Sequence, residues 1–332
     1  MIPAQHRPLP QKILYSKSQA PPPSSNHVVP DHSPASGGQP GLHPLAATRD
    51  VPAIVRNFYN TVKGQGQCPN KLASGFYAKD NGPGNFAYCQ DPKTNVLYLQ
   101  GTGGALADMD IDCDGRQGGP ADDGRCGKSD DTQAITSFAD TVRGYNKGIK
   151  DLDSKIHPYV VFGNAGDKSG FKTFDPRAHG VKPLSIMAVV CGDKLIYGVW
   201  GDENGVDGSK SMVGEASISL ATACYGKSIN GNNGHDQTDV LYIAFPGSEA
   251  VPGANGAAWG AASYDAFEKS IQAKGDQLIQ RLGGSGGGGS PTTTAGQPKP
   301  TCAWAGHCLG DKCSNENDCD QDWVCKNGKC SA

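Results

Sequence analysis

A mainly β fold with peripheral helices is what this sequence predicts, and three observations carry the prediction. The apolar residues fall in short runs, the runs are rich in β-branched and aromatic residues, and 46 glycines and 23 prolines punctuate them. VLYLQ (96–100), HPYVVFG (157–163), LSIMAVVC (184–191), LIYGVW (195–200) and DVLYIAF (239–245) read as buried strands. Gly192-Asp193 separates two of them by a two-residue turn, which predicts a β-hairpin over 184–200. Helical patterns occur at 132–145, 217–224 and 263–282, the last with Asp265 near its start and Gly283 just past its end.

On either side of this body the composition changes. Residues 1–50 are rich in Pro, Ser, His and Gly, and they bury too little apolar surface to offset the entropy of ordering, so they are expected to be disordered. GGSGGGGSPTTTAGQPKP (283–300) is a flexible Gly/Ser run followed by a stiffer Thr/Pro run, the composition of a linker. The expected order is a disordered segment 1–50, a folded body 51–282, a linker 283–300 and a small module 301–332.

Cysteine usage sets the chemistry of the compartment. There are twelve, and Cys302, Cys308, Cys313, Cys319, Cys325 and Cys330 crowd into the last module. With no CxxC pair and only His307 nearby, disulfides fit that spacing better than a zinc cluster. The six in the body, Cys68, Cys89, Cys113, Cys126, Cys191 and Cys224, should also pair, with Cys68–Cys89 and Cys113–Cys126 suggested by proximity in sequence. Such density implies secretion, although the opening residues hold no apolar run of the kind a leader peptide needs. We therefore expect a secreted, extracellular protein whose leader is missing from this start. No run of about 18 apolar residues exists, so no membrane span is predicted. The net charge of −3 and the lack of a basic stripe exclude a nucleic-acid binder and favour a cationic partner.

Two groups of carboxylates invite a chemical reading. In LADMDIDCDG (106–115), Asp108, Asp110, Asp112 and Asp114 recur at every second residue, which in an extended chain puts them on one face. Residues 101–131 hold eight Asp against three Lys or Arg. Three explanations compete: a calcium loop opening with DxDxDG, a solvated edge strand, and the floor of an anionic groove for a polycation. The calcium loop is weakened by Ala121 at the position where Glu is required. In the second group, Asp202 and Glu215 stand at the ends of the loop in WGDENGVDGSKSMVGEASISL (200–220). Two carboxylates in complementary roles are what cleavage of a glycosidic bond requires. Trp200 could supply a sugar-stacking wall or desolvate a carboxyl. Residue types alone favour a plainer reading, with Asp202 a turn residue and Glu215 capping the helix at 217–224.

The strings HPYVVFGN, FDPRAHGVKPLSIMAVVCGDKLIYGVWGDENG, GEASISLATACYG and NGHDQTDVLYIAF, with MDIDCDG upstream, closely resemble the fungal chitosanases of glycoside hydrolase family 75 from about Tyr59 to Phe245. The resemblance implies an endo-acting hydrolase that cuts the β-1,4 links of chitosan, a cationic glucosamine polymer, with inversion, and it makes 51–282 the catalytic domain. It also carries the essential carboxylates onto Asp202 and Glu215. Which is the acid is not written in the sequence; the working assignment takes Glu215 as acid and Asp202 as base. Asp110, Asp112 and Asp114, with Trp200, are expected to bind substrate. No cofactor and no resident metal is expected, and the chain is expected to act as a monomer. The run from Val189 to Cys224 resembles the pattern of six-stranded double-psi β-barrels, which implies that fold for the catalytic domain by analogy. The rival reading is a non-hydrolytic protein that binds or loosens cell-wall polysaccharide on the same barrel. The tail departs from the family; it is either a disulfide-stabilised stub or a polysaccharide-binding module with Trp304 and Trp323 as sugar platforms.

Overall fold

The computed structural model describes residues 49–283, apart from 80, 130, 206 and 207, together with 324–331 apart from 327. In chain order the strands are β1 (Arg49–Asp50), β2 (Lys71–Phe76), β3 (Phe86–Gln90), β4 (Leu97–Gln100), β5 (Ala107–Asp112), β6 (Tyr159–Asn164), β7 (Ile186–Cys191), β8 (Lys194–Asn204), β9 (Glu215–Ser217) and β10 (His235–Ala244). Four α-helices accompany them: α1 (Ala53–Gly64), α2 (Ala139–Gly144), α3 (Ile218–Tyr225) and α4 (Tyr264–Ile279). The fold is mainly β, with helices at its margins, as the short apolar runs predict. None of the described helices is long and apolar enough to cross a membrane.

β7 is buried along all six residues, as its unbroken apolar sequence requires of a strand covered on both faces. It turns at Gly192, which takes a left-handed φ of 61°, and returns as β8 in antiparallel register from Cys191↔Lys194 to Ile186↔Val199. The predicted hairpin is therefore present. β8 also pairs with β6, β6 with β9, β9 with β5, β5 with β10, and β10 with β7. Each of these six strands thus finds two partners among the same six. A smaller run of β4, β3 and β2 extends from β10, and β1 pairs with the start of β8. The sheet so takes in Arg49 and Asp50, the last two residues of the segment expected to be disordered; residues 1–48 lie outside the described chain.

Helix α1 follows from Val55, Phe58, Tyr59 and Val62, whose spacing of three and four places them on one buried stripe. The Phe58 ring meets Tyr98 of β4 edge-on at 5.8 Å. Helix α4 packs on β7 and β8, and Gly275 lets it approach so closely that a Cβ there would sit 2.5 Å from the Tyr197 ring.

One element differs from its prediction. Of the helix expected over 132–145, only Ala139–Gly144 is helical. The amides before it are directed elsewhere: those of Gln133, Thr136 and Ser137 donate to the carboxylates of Asp114, Asp151 and Asp202. A helix would need the later ones for its own carbonyls.

The six body cysteines pair as Cys68–Cys89, Cys113–Cys126 and Cys191–Cys224, so both pairings suggested by proximity are present. Of the tail, the structure describes a hairpin of β11 (Val324–Lys326) and β12 (Lys329–Ser331). The linker beyond Gly283, Trp304 and Trp323 lie outside the described residues.

Candidate active site

Beyond Val199 the strand β8 outruns its partner β7 and continues alongside β6. Here the register slips: Val160 faces Trp200, yet Val161 faces Asp202, so β8 carries one extra residue, Gly201. Such a bulge bends a strand and re-aims the side chain after it. Glycine is required there because a Cβ would lie 2.5 Å from the Cβ of Tyr159. On the other side of β6, Val161 faces Glu215 of β9. Asp202 and Glu215 are thereby held on two strands that flank a third.

A cleft opens above these strands, lined by Asp112, Asp114, Asp131, Asp202, Glu203 and Glu215, with Ser129 and Gln133 at its wall. The loop that carries Ser129 and Asp131 is tied to the end of β5 by Cys113–Cys126, whose first half-cystine lies between Asp112 and Asp114. Asp112 and Asp202 are buried, whereas Asp114 and Glu215 are partly exposed. Asp112, Asp114 and Asp202 can each bring one carboxylate oxygen within 4.8 Å of the others. That much like charge can be sustained only by protons or by a cationic group.

Hydrogen bonding distinguishes the two leading carboxylates. Oδ1 of Asp202 accepts from the Ser137 hydroxyl at 2.5 Å, from the Ser137 amide at 2.9 Å and from the Glu203 amide at 2.8 Å. These donors favour the ionised form, against burial and the nearby Asp112 charge, which push the Asp202 carboxyl well up from its ordinary range. Glu215 receives the amide of Asn204 at 3.4 Å. Burial and the charges of Asp112, Asp110, Asp114 and Asp202 push its carboxyl well above the ordinary range. Asp112 is raised to about 6, chiefly by burial, and Asp114 to about 9, by burial and then by Asp112.

The structure rearranges several expected roles. Trp200 is 0% exposed, so its ring has no face left for a sugar. Its Nε1 donates to the Asp202 carbonyl at 3.0 Å while Phe138 packs edge-on against it, which makes it a support beneath Asp202. β5 runs between β9 and β10, so the acidic stretch is no edge strand. It is also no EF-hand, because Asp110 and Asp112 lie within a strand. The acidic residues do not all share one surface: Asp110 is exposed and outside the cleft lining, and Asp108 is 2% exposed with an Oδ1 that has no hydrogen-bond partner. The cap of α3 is Ser217, whose side chain accepts from the Leu220 amide, so Glu215 is not a capping residue. Ser137, Glu203 and Asn204 were not anticipated. Glu203 and Asn204 at least adjoin Asp202 in sequence, but nothing local in the sequence marks Ser137, which lies 65 residues away.

The comparisons with known proteins fall on this same region. The model of the fungal chitosanases of glycosyl hydrolase group 75 matches residues 109–281. An endo-chitosanase of Aspergillus oryzae is 44% identical over 243 residues, which cover 71% of this chain and 94% of the relative. The chain belongs to glycosyl hydrolase group 75. Other relatives fall in line with that membership: an endo-chitosanase of Aspergillus fumigatus is 42% identical, over 71% of this chain and 93% of the relative. An endo-chitosanase C of Aspergillus oryzae is 34% identical, over 68% of this chain and 56% of that longer protein. As a group 75 member the chain is a hydrolytic enzyme. The matched span contains the strands that hold Asp202 and Glu215 as well as Asp110, Asp112 and Asp114.

Proposed function

We propose that this group 75 hydrolase is an endo-chitosanase that cleaves β-1,4 links between glucosamine units with inversion, using Glu215 as general acid and Asp202 as general base. The observation that carries the assignment is the unequal support of the two groups. Three donors converge on one oxygen of Asp202 and favour its ionised form, whereas Glu215 has one long hydrogen bond and four acidic neighbours that favour its proton. Glu215 then gives its proton to the departing glycosidic oxygen. Asp202 takes a proton from the water that attacks the anomeric carbon on the opposite face.

Asp112 and Asp114 hold the ammonium groups of the sugars beside the cut, and their raised values mean that a bound cation replaces protons there. Asp110, exposed beyond the lining, serves a sugar farther along. The cycle of six strand pairings, parallel between β5 and β9 and between β6 and β8, supports a six-stranded double-psi barrel. Three disulfides in the body support a secreted enzyme. It would act as a monomer, with 301–332 as an appended module beyond the linker.

The test is reducing-end release from soluble chitosan, with the anomer of the first product followed by NMR. Release of the α-anomer supports the proposal. Binding without any release would favour the wall-binding alternative, and a β-anomer would remove inversion.

A further inference from the structure

We propose that Ser137 is a positioning residue of this hydrolysis, clamping Oδ1 of Asp202 with its hydroxyl and its amide together so that Oδ2 alone is presented to the cleft. The inference rests on Asp202 being the base. A carboxylate free to rotate offers either oxygen in many orientations, and only a few of them meet the attacking water along a productive line. Here the hydroxyl donates to Oδ1 at 2.5 Å and accepts from the Glu203 amide at 3.3 Å, so one side chain bridges the carboxylate and the backbone next to it.

The clamp is itself anchored. The preceding residue, Thr136, donates its amide and its hydroxyl to the two oxygens of Asp151, at 2.8 and 2.6 Å, in a buried pair. Three residues earlier the Gln133 amide donates to Asp114 at 2.5 Å. Residues 133–137 thus form a non-helical strip whose polar groups serve three separate carboxylates. This explains why the segment abandons the helix its sequence favours. Ser137 is exposed as a residue, so its hydroxyl is not needed to fill space in a core.

Other charges also bear on Asp202. From its own strand it is faced by Glu203, which pairs with Arg177 at 3.1 Å. Asp112 and Asp114 face it from β5 and the turn beyond, Tyr159 from β6, Glu215 from β9, and Asp131 from the cleft wall. Removing the Ser137 hydroxyl leaves all of these in place and takes away a donor that favours the ionised base.

The experiment compares wild type, Ser137→Ala, Ser137→Thr and Asp202→Asn on soluble chitosan across pH. In Ser137→Ala we expect kcat to fall about 10- to 100-fold with KM within about twofold. The acidic limb of kcat/KM should move to higher pH, because a base that has lost a donor holds its proton more tightly. Ser137→Thr, which keeps the hydroxyl, should restore both, and the thermal midpoint should be the same in all three. Unchanged kcat and an unmoved limb in Ser137→Ala, or a Thr variant as impaired as the Ala one, would overturn the inference while an inactive Asp202→Asn left the base assignment standing. Substantial activity in Asp202→Asn would overturn both.

Discussion

Asp202 and Glu215 face the same residue, Val161, from opposite sides of β6. Two steps of strand spacing put their backbones about 10 Å apart, and side chains converging into one cleft can bring the carboxyl groups into the range of about 6.5–9.5 Å that admits a water beneath the sugar. Asp202→Asn and Glu215→Gln should each lower turnover by about 100-fold or more while leaving the thermal midpoint near or above that of wild type. Steady-state kinetics with a melt for each variant checks this. Near-normal turnover in either would remove that residue from its role.

The acidic residues of β5 and the turn after it should not be equivalent. Asp112→Asn and Asp114→Asn remove charges that line the cleft, so KM for chitosan should rise and its dependence on salt should weaken. Asp110→Asn, outside the lining, should change KM less. Kinetics at two ionic strengths separates the three. Equal, unaltered KM values across them would show that the cleft does not read the ammonium group through these side chains.

Stability should fall as the solution becomes alkaline. A carboxyl whose folded value lies above its ordinary value of 3.8 binds its proton more tightly in the folded chain, so its contribution is full below that value and is lost as pH rises through the folded one. With Asp112 near 6, Asp108 near 8 and Asp114 near 9, the loss spreads over roughly pH 4 to 9. The thermal midpoint should therefore be higher at pH 5 than at pH 9, and Asp114→Asn should flatten the upper part of that slope. A midpoint that climbs between those pH values, or a variant with the wild-type slope, would refute the account.

Cys113–Cys126 should matter to activity as well as to stability. It closes a short loop, spanning 13 residues, worth about 3 kcal/mol on chain-entropy grounds, and it anchors Cys126, from which the chain runs directly on to Ser129 and Asp131 of the cleft wall. Cys113→Ser with Cys126→Ser should lower both the thermal midpoint and kcat/KM. Cys191→Ser with Cys224→Ser, away from the cleft, should lower the midpoint with kcat/KM nearly intact at a permissive temperature. Indistinguishable kcat/KM in the two double variants would remove the loop from the site.

Gly201 offers a narrower test. Its Cβ would meet Tyr159 at 2.5 Å, where neither backbone can yield without moving Asp202. Gly201→Ala should reduce kcat more than KM, and an Ala variant with native kcat would mean that the bulge has no part in aiming Asp202, the proposed base.

Much of the scaffold was legible because burial on both faces leaves an unbroken apolar run, as in β7, and because Gly192-Asp193 can hardly be anything but a tight turn. α1 carries an equally plain stripe in Val55, Phe58, Tyr59 and Val62, a helical signal that the expected elements do not include. The proposed pair Asp202 and Glu215 rests on family resemblance at the level of sequence, since residue types alone favour a turn and a cap. What lay beyond reach depended on distant partners. The helix expected over 132–145 is cut back to 139–144 by carboxylates at 114, 151 and 202, and the expectation that Trp200 binds substrate fails because no local pattern reveals that its ring is buried against Phe138.

The shared middle strand has a consequence for how such an enzyme can change. Where reacting groups sit on loops, evolution or design can retune the gap between them by small shifts of the loops. Here the proposed pair, Asp202 and Glu215, stands on rails whose spacing is a property of the backbone ladder. Exchanging Asp for Glu changes the reach of either side chain by about one methylene, whereas bringing the two backbones to adjacent-strand spacing would need β8 and β9 to become neighbours, with β6 expelled from between them. Under the proposed roles, the span between acid and base is therefore set first by strand order and only then by the side chains it carries.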